Sequence, residues 1–360
     1  MVHSMKFKVT FTVLLLFALA GCGGIGPKTV SRDRFEYTDA ISESWKHQML
    51  LNMVKIRYGD APVFLEVSSV INQYMMETEI NGQLGWNAFL PEPSQHIGAR
   101  GKYADRPTIT YQPLQGEKFA RSLMTPIPPD SILSLMESGW RADYLFRVCV
   151  QSVNGVYNRL GHQMAQKEAD PDFYHLVNRM RQVQESAAVG MRLDKAQEGK
   201  PATVLFFRKT DADPEIARQQ KKIRQILGLN PDLNQFKVVY GAMAKDDTEI
   251  AILSRSMLQI LSELSSYIEI PEKHVQEKRA PENLSITSDI EAGVVPLLHI
   301  YSASNYPEDA FAAVKYRDTW FWIDDKDYWT KRMFSFLMYL FTLAETGSPS
   351  QAPVLTIPTG

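Results

Sequence analysis

The sequence predicts an α+β fold: a helical N-terminal half followed by an α/β-alternating half with a mainly antiparallel sheet. Three observations lead there. Apolar residues recur at spacings of three and four through most of the first half, as on one face of a helix. Near Gly199-Lys200-Pro201 the pattern changes, and short β-branched or aromatic runs begin to alternate with helical ones. Two apolar runs then flank Arg317-Asp318-Thr319 in the manner of a hairpin.

The first ordered helix is expected over Asp39–Tyr58. Ile41, Trp45, Met49, Met53 and Ile56 share a face there, Thr38 or Asp39 caps it, and Gly59 stops it. Ala61–Ile80 reads as a strand bulged near Ser68-Ser69, because Val63, Leu65 and Val67 alternate and Tyr74, Met76 and Ile80 continue in the opposite phase. A helical turn at the two serines is the competing reading. Pro91–Arg106 reads as a polar loop and Thr108–Tyr111 as a short β segment. Helices follow at Glu117–Met124, Asp130–Glu137, Ala142–Leu160 and Asp172–Arg192, the last with Pro171 near its first turn.

Beyond residue 199 the sequence predicts a strand at Val204–Arg208 and a helix at Pro214–Leu227 begun by Asp213. A strand at Gln235–Tyr240 precedes a long helix, Thr248–Ile268, whose Ile250, Leu253, Met257, Ile260, Leu264 and Tyr267 keep a packing rhythm. Pro271–Gly293 is a polar, charged loop of unusual length. Strands at Pro296–Ser302, Phe311–Tyr316 and Trp320–Ile323 lead to a helix at Asp325–Glu345, with Val354–Ile357 as a last strand. Met333–Ala344 carries no charge and reads as a buried helix too short to span a membrane.

The N-terminus says where the protein lives. Lys6 and Lys8 precede an apolar stretch, Val9–Ala20, that is shorter than the roughly 20 residues a spanning helix needs. It has the anatomy of a cleaved secretory signal, with Met5 as an equally good start. Leu19-Ala20-Gly21-Cys22 resembles the lipobox of bacterial lipoproteins, in which the Cys becomes the new N-terminus and carries acyl chains such as palmitate. The resemblance implies lipidation at Cys22 and, with Gly23 in place of Asp, an outer-membrane address facing the periplasm. Each buried methylene adds about 0.8 kcal/mol to such an anchor. The chain then divides into a signal peptide (1–21), a lipidated, Gly-rich tether (22–37), a mostly helical region (38–198) and an α+β domain (199–360). As a flexible coil the tether reaches about 20 Å.

Loss of Lys6 and Lys8 leaves 37 basic residues against 41 acidic ones, a balance that argues against nucleic acid as a partner. Hydrophobic residues at 44% exclude wholesale disorder. With Cys22 lipidated, Cys149 is the one remaining thiol, so no internal disulfide framework exists; its place on the apolar side of a helical pattern marks it as buried and inert.

The most site-like segment is Trp320–Asp327. Trp320 and Trp322 project to one face of a strand, in the core by preference or as a binding surface, and Asp324, Asp325 and Asp327 cluster where the strand passes into a helix. Paired carboxylates there would suit acid–base work or a hard cation, but acidic residues at a helix start also cap free amides. The capping role is the expectation. No His-Glu-x-x-His, Gly-x-Ser-x-Gly, Walker-type or Gly-x-Gly-x-x-Gly pattern is present, so no catalytic residue, metal or cofactor is assigned.

Arg57-Tyr-Gly-Asp-Ala-Pro-Val-Phe, Pro113-Leu-Gln-Gly-Glu-Lys-Phe, Trp320-Phe-Trp-Ile-Asp-Asp and Leu343-Ala-Glu-Thr-Gly resemble a family of proteobacterial outer-membrane lipoproteins of unassigned function, over nearly the whole mature chain. That resemblance implies co-location and no activity. The favoured expectation is therefore a non-enzymatic envelope lipoprotein held to the bilayer by its acyl chains. It would bind an envelope protein partner as an accessory of an outer-membrane assembly. The alternative is a lipid-anchored periplasmic hydrolase or ligand-binding protein with a site near Asp324–Asp327.

Overall fold

The computed structural model describes residues 25–71, 74–85, 94–105, 108–160, 168–194, 202–208, 213–283 and 295–345. The fold is α+β, as expected. Cys22 and the expected strand Val354–Ile357 lie outside the described residues. Among those residues no helix is long and apolar enough to cross a membrane. The chain forms two units, one of residues 1–45 and 65–113, the other of 46–64 and 114–360.

Helix α1 runs Ile25–Arg57, fourteen residues longer at its start than the apolar stripe predicts. Most of the expected 22–37 tether is therefore helical. After Pro27, which a first turn tolerates, nothing up to Tyr58 breaks a helix, and no apolar face is needed to extend it. Val30 and Phe35 are exposed, whereas Met49, Leu50, Met53 and Val54 are fully buried. Gly59, at a φ of 78°, ends the helix in the left-handed region, and the Asp60 amide donates back to the Lys55 carbonyl at 2.8 Å.

The first unit, which takes α1 only as far as Trp45, holds four strands in two ribbons. Strand β1 (Leu65–Ile71) pairs antiparallel with β4 (Thr108–Pro113), and β2 (Tyr74–Gly85) with β3 (Ser94–Asp105). The bulge falls between Val67 and Ser69, where the sequence placed it. The expected Pro91–Arg106 loop is mostly strand, Ser94–Asp105, its pairing with β2 overriding the low strand propensity of its glycines and charges.

In the second unit a short helix α2 (Gly116–Phe119) and a π-helical turn lead to α3 (Pro129–Glu137) and α4 (Ala142–Cys149). The expected Ala142–Leu160 helix stops at Cys149. Strands β5 (Val150–Val153) and β6 (Val156–Tyr157) follow, joined by Asn154-Gly155, both at positive φ in a two-residue hairpin. Helix α5 (Pro171–Glu185) precedes β7 (Val189–Asp194), β8 (Ala202–Phe207), α6 (Pro214–Leu227) and β9 (Gln235–Tyr240). The expected Thr248–Ile268 helix is instead strand β10 (Glu249–Ser254) and helix α7 (Met257–Ser265). Ser256 starts α7 with a reciprocal capping box to Gln259.

These strands form one sheet in the order β6-β5-β10-β9-β8-β7, antiparallel except for the β9–β10 pair. Because β7 pairs with β8 along six positions, the boundary expected at residue 199 falls within this sheet. Leu176 and Met180 of α5, Ile223 and Leu227 of α6, and Val153, Leu205, Phe207, Ile250 and Ile252 of the sheet meet in one apolar seam. Full burial of such a side chain is worth about 1.5–3 kcal/mol.

After α8 (Glu272–Gln276), which lies in the expected 271–293 loop, β11 (Tyr301–Ala303), β12 (Ala310–Tyr316) and β13 (Thr319–Asp324) form a second sheet in the order β11-β13-β12. The expected strand at Pro296–Ser302 is mostly irregular, with Leu297, Leu298 and Ile300 buried. Arg317 and Asp318, both at positive φ, make the β12–β13 turn. Helix α9 (Tyr328–Glu345) follows, and Phe334, Phe336, Leu337, Leu340 and Phe341 are buried as the charge-free stretch predicts.

Candidate functional site

Strand β13 carries the segment that the sequence singled out. Phe321 and Ile323 point to the core, so Trp320 and Trp322 take the other face and are half-buried. The preferred core placement of the two tryptophans is corrected: period two puts only one parity inside, and the smaller apolar pair won it. Trp322 stacks on Tyr301 of the neighbouring strand at 5.5 Å, and Tyr301 stacks on His299 at 4.0 Å. Trp320 meets Tyr306 edge-on at 4.9 Å. Burial raises the Tyr301 pKa, and the nearby charges of Asp327, Asp324 and Glu269 push it the same way.

The aspartates of this segment are engaged locally. Asp327 accepts from the Thr330 amide at 2.9 Å and from its hydroxyl, capping the first turn of α9. Asp324 accepts from the Lys326 amide at 2.8 Å, and Asp325 pairs with Lys331 at 2.9 Å. Thr330 in turn accepts from the His299 amide at 3.0 Å, joining the cap to the aromatic row. The geometry is that of a capped turn beside an aromatic face. Among the described residues no group of three or more His, Cys, Asp or Glu side chains is arranged to hold a metal ion.

Two other polar clusters are structural fastenings. Arg57 is buried and donates to the carbonyls of Ile268 at 3.5 Å and Glu282 at 2.7 Å, and burial lowers its pKa to about 10. The Tyr58 hydroxyl lies 2.6 Å from Nδ1 of His274, and burial raises the phenol to about 12 while lowering the imidazole pKa. Asp60 binds the Tyr316 hydroxyl and, at 3.1 Å, Arg317. The Asn52 amide clamps both backbone groups of Val63 at 2.8 Å. The wordlike run Arg57–Phe64 is thus a clasp, within the second unit, between the C-terminal end of α1 and later elements.

In the second cluster, fully buried Arg255 donates to the carbonyls of Arg147, Val148 and Arg159 and approaches Glu263 at 3.8 Å. Cys149 is buried beside it, and burial raises the thiol to about 12, far from a nucleophile's range.

An open cavity of about 310 Å³ sits where β9 and β10 end and α7 begins. Gln151, Ser254, Ser256 and Gln259 supply its polar lining, Met124, Tyr240, Leu253 and Leu258 its apolar one. The end of a parallel strand pair at a helix N-terminus is where α/β sheets bind ligands. Its described lining offers shape and neutral hydrogen-bonding groups.

The remaining surface of interest is the pair of ribbons in the first unit. From Ser69↔Thr110 through Tyr74↔Asp105 to Gly85↔Ser94 the register keeps one offset, as in a single long hairpin. Each ribbon has two strands, and no third strand pairs with either among the described residues. Leu65, Ile71, Ile109 and Tyr111 expose 38–56% of their surface. Sequence reading had the bulge, the alternation and the short β4 segment, but took β3, whose apolar positions are diluted by Gly98, Gly101, Arg100 and Lys102, for a loop.

No family model, curated protein or solved structure matches this chain.

Proposed function

We propose that this chain is an envelope lipoprotein, anchored in the outer membrane through acyl chains on Cys22, that acts by binding proteins as a structural accessory of an outer-membrane assembly. The observation that carries the reading is the pair of ribbons β1–β4 and β2–β3, which no third strand joins among the described residues, with apolar side chains exposed on β1 and β4. The edges of such ribbons are templates for adding another strand. The neutral hydrogen-bonding groups in the described lining of the 310 Å³ cavity support binding over catalysis. The address rests on the Leu19–Cys22 tetrad.

The test combines radiolabelled palmitate with affinity capture from solubilised outer membranes. The wild type is expected to carry label and bring down a stoichiometric protein, whether another chain or an untagged copy of itself. Cys22→Ser is expected to lose both label and membrane fraction. A labelled protein that captures nothing overturns the binding role, and an unlabelled wild type overturns the address.

A second reading, a ligand-binding site that includes Trp320, Trp322, Asp324, Asp325 and Asp327, is favoured by the His299–Tyr301–Trp322 stack beside its carboxylates. Quenching of tryptophan fluorescence by a ligand, lost in Trp322→Ala, would support it.

A further inference from the structure

We propose that the β2–β3 arms of several copies of this chain pair edge to edge into a closed antiparallel sheet that spans a membrane, lipid on one face and water on the other. The inference rests on the envelope reading above and names the partner: further copies of this chain.

Three observations carry it. The first is the pattern across the register. Twelve consecutive pairs join Tyr74–Gly85 to Ser94–Asp105, and alternate pairs share a face. Met76, Ile80 and Leu84 of β2 belong to one parity, with Tyr103 opposite Met76 and Ala99 opposite Ile80. Between the Tyr74↔Asp105 and Gly85↔Ser94 ends, every charged residue belongs to the other parity: Glu77 opposite Lys102 and Glu79 opposite Arg100. A mainly apolar row, broken by Thr78 and Gln95, beside a row that holds the charges and the Met75↔Ala104 pair matches the alternation of a strand pair lying between lipid and an aqueous lumen.

The second is length. Twelve residues at about 3.4 Å each give about 40 Å, and a tilt of about 40° brings the height to about 30 Å. Outer-membrane barrels present an apolar band of about 25 Å.

The third is charge. Strand β2 carries the acids Glu77 and Glu79, and strand β3 the bases Arg100 and Lys102. Pairing the outer edge of β2 with the outer edge of β3 from the next copy sets each acidic strand between two basic ones. Pairing β2 with β2, or β3 with β3, sets like charges together. The favoured contact is head-to-tail, which closes into a ring when the rotation per copy divides a full turn and runs on as an open filament when it does not. Closure also meets the demand that no backbone N–H or C=O remain unpaired within lipid.

The experiment uses the full-length, lipidated chain in detergent and in liposomes of phosphatidylethanolamine and phosphatidylglycerol loaded with a self-quenching dye. The wild type is expected to run as a multimer of discrete size in native mass spectrometry and to release the dye. Ile80→Lys, on the apolar parity, should cut release at least tenfold, while its neighbour Asn81→Lys, on the charged parity, should stay within twofold of wild type. Glu79→Lys should weaken the multimer, and Glu79→Lys combined with Arg100→Glu should restore it. A monomer that leaves the vesicles sealed, or equal losses from Ile80→Lys and Asn81→Lys, overturns the proposal. If palmitate is retained at Cys22 in that monomer, the arm proposal falls alone; if the wild type carries no palmitate, the envelope reading falls with it.

Discussion

The six-stranded sheet and the ribbons of the first unit are both built mainly from antiparallel pairing, yet they solve opposite problems. In the sheet, β10 carries Ile250, Ala251 and Ile252 in succession, all buried, because elements cover both of its faces. In the ribbons, β4 is exposed at every residue from Thr108 to Pro113. An isolated two-stranded ribbon is marginal in water. The difference teaches that the second unit buries its strands in its own packing, while β1 and β4 pair with no third strand among the described residues and leave β4 open to solvent. Each of the following substitutions probes one side of that contrast, in descending order of expected effect.

The largest loss should come from Arg255→Ala. The fully buried guanidinium satisfies three carbonyls and approaches Glu263, and burial alone already depresses its pKa. Removing it leaves those acceptors dry and opens a void, for about 3–5 kcal/mol by urea unfolding. Arg255→Met, which keeps the volume, should cost less. Equal losses would show that the charge contributes nothing beyond space. A comparable test lies within one strand: Phe321→Ala should cost about 3–5 kcal/mol and Trp322→Ala about 1 kcal/mol, although tryptophan is the larger residue. Reversal of that order would mean the outer face of β13 is the better packed.

The clasp at the end of α1 should make stability depend on pH from both sides. The folded state holds His274 neutral, with a pKa below its ordinary value of 6.5, so the stability it contributes is complete above about pH 6.5 and is lost as the pH falls through that value toward the lower folded pKa. Tyr58 is held protonated, raised to about 12 from 10.0, so its contribution is complete below about pH 10 and is lost as the pH climbs toward 12, on the order of 2 kcal/mol. Tyr58→Phe should flatten the alkaline limb and leave the acid one. A mutant that keeps the full alkaline limb would remove the phenol from the account.

A smaller cost attaches to the cap of α6, where Asp213 accepts from the amides of Glu215 and Ile216 at 3.1 and 3.2 Å. Asp213→Ala should lower stability by about 1 kcal/mol. This cap is also where the sequence was most legible. Asp213-Pro214 and Asp170-Pro171 fix helix starts through neighbours in the chain, and both helices begin where those residues put them. What failed was period. A strand buried on both faces carries no alternation, so the apolar run of β10 joined the rhythm of α7 into one apparent helix. Two local signals were there to separate such runs: Ser256-x-x-Gln259, a capping box, and Asn154-Gly155, a hairpin turn that ends the helix expected through Leu160.

The candidate surfaces were legible only in part, for a different reason. Alternation shows that Trp320 and Trp322 share a face but not which face is core, since Phe321 and Ile323 make an equally apolar row. The run Arg57–Phe64 looked distinctive in sequence, yet its meaning lies in partners 211 to 257 residues away. The ribbons were half visible, as a bulged strand and a short β4 segment, while β3 was too rich in glycine and charge to announce itself.

The smallest expected effect is the most informative about the β1–β4 ribbon. Tyr111→Ser removes a ring that is already 56% exposed and sits on a ribbon outside the buried cores. In monomeric protein it should shift the unfolding midpoint by less than about 0.5 kcal/mol equivalent, as surface changes do. The same ring deleted from a packed core would cost several times more. If the substitution destabilises the isolated monomer by 2 kcal/mol or more, something in the chain itself covers that ribbon, and the contrast between a packed sheet and an open ribbon collapses. If it is silent in the monomer but lowers the multimer population, the apolar surface of β4 is reserved for contacts between chains, and the energy missing from the first measurement reappears in the second.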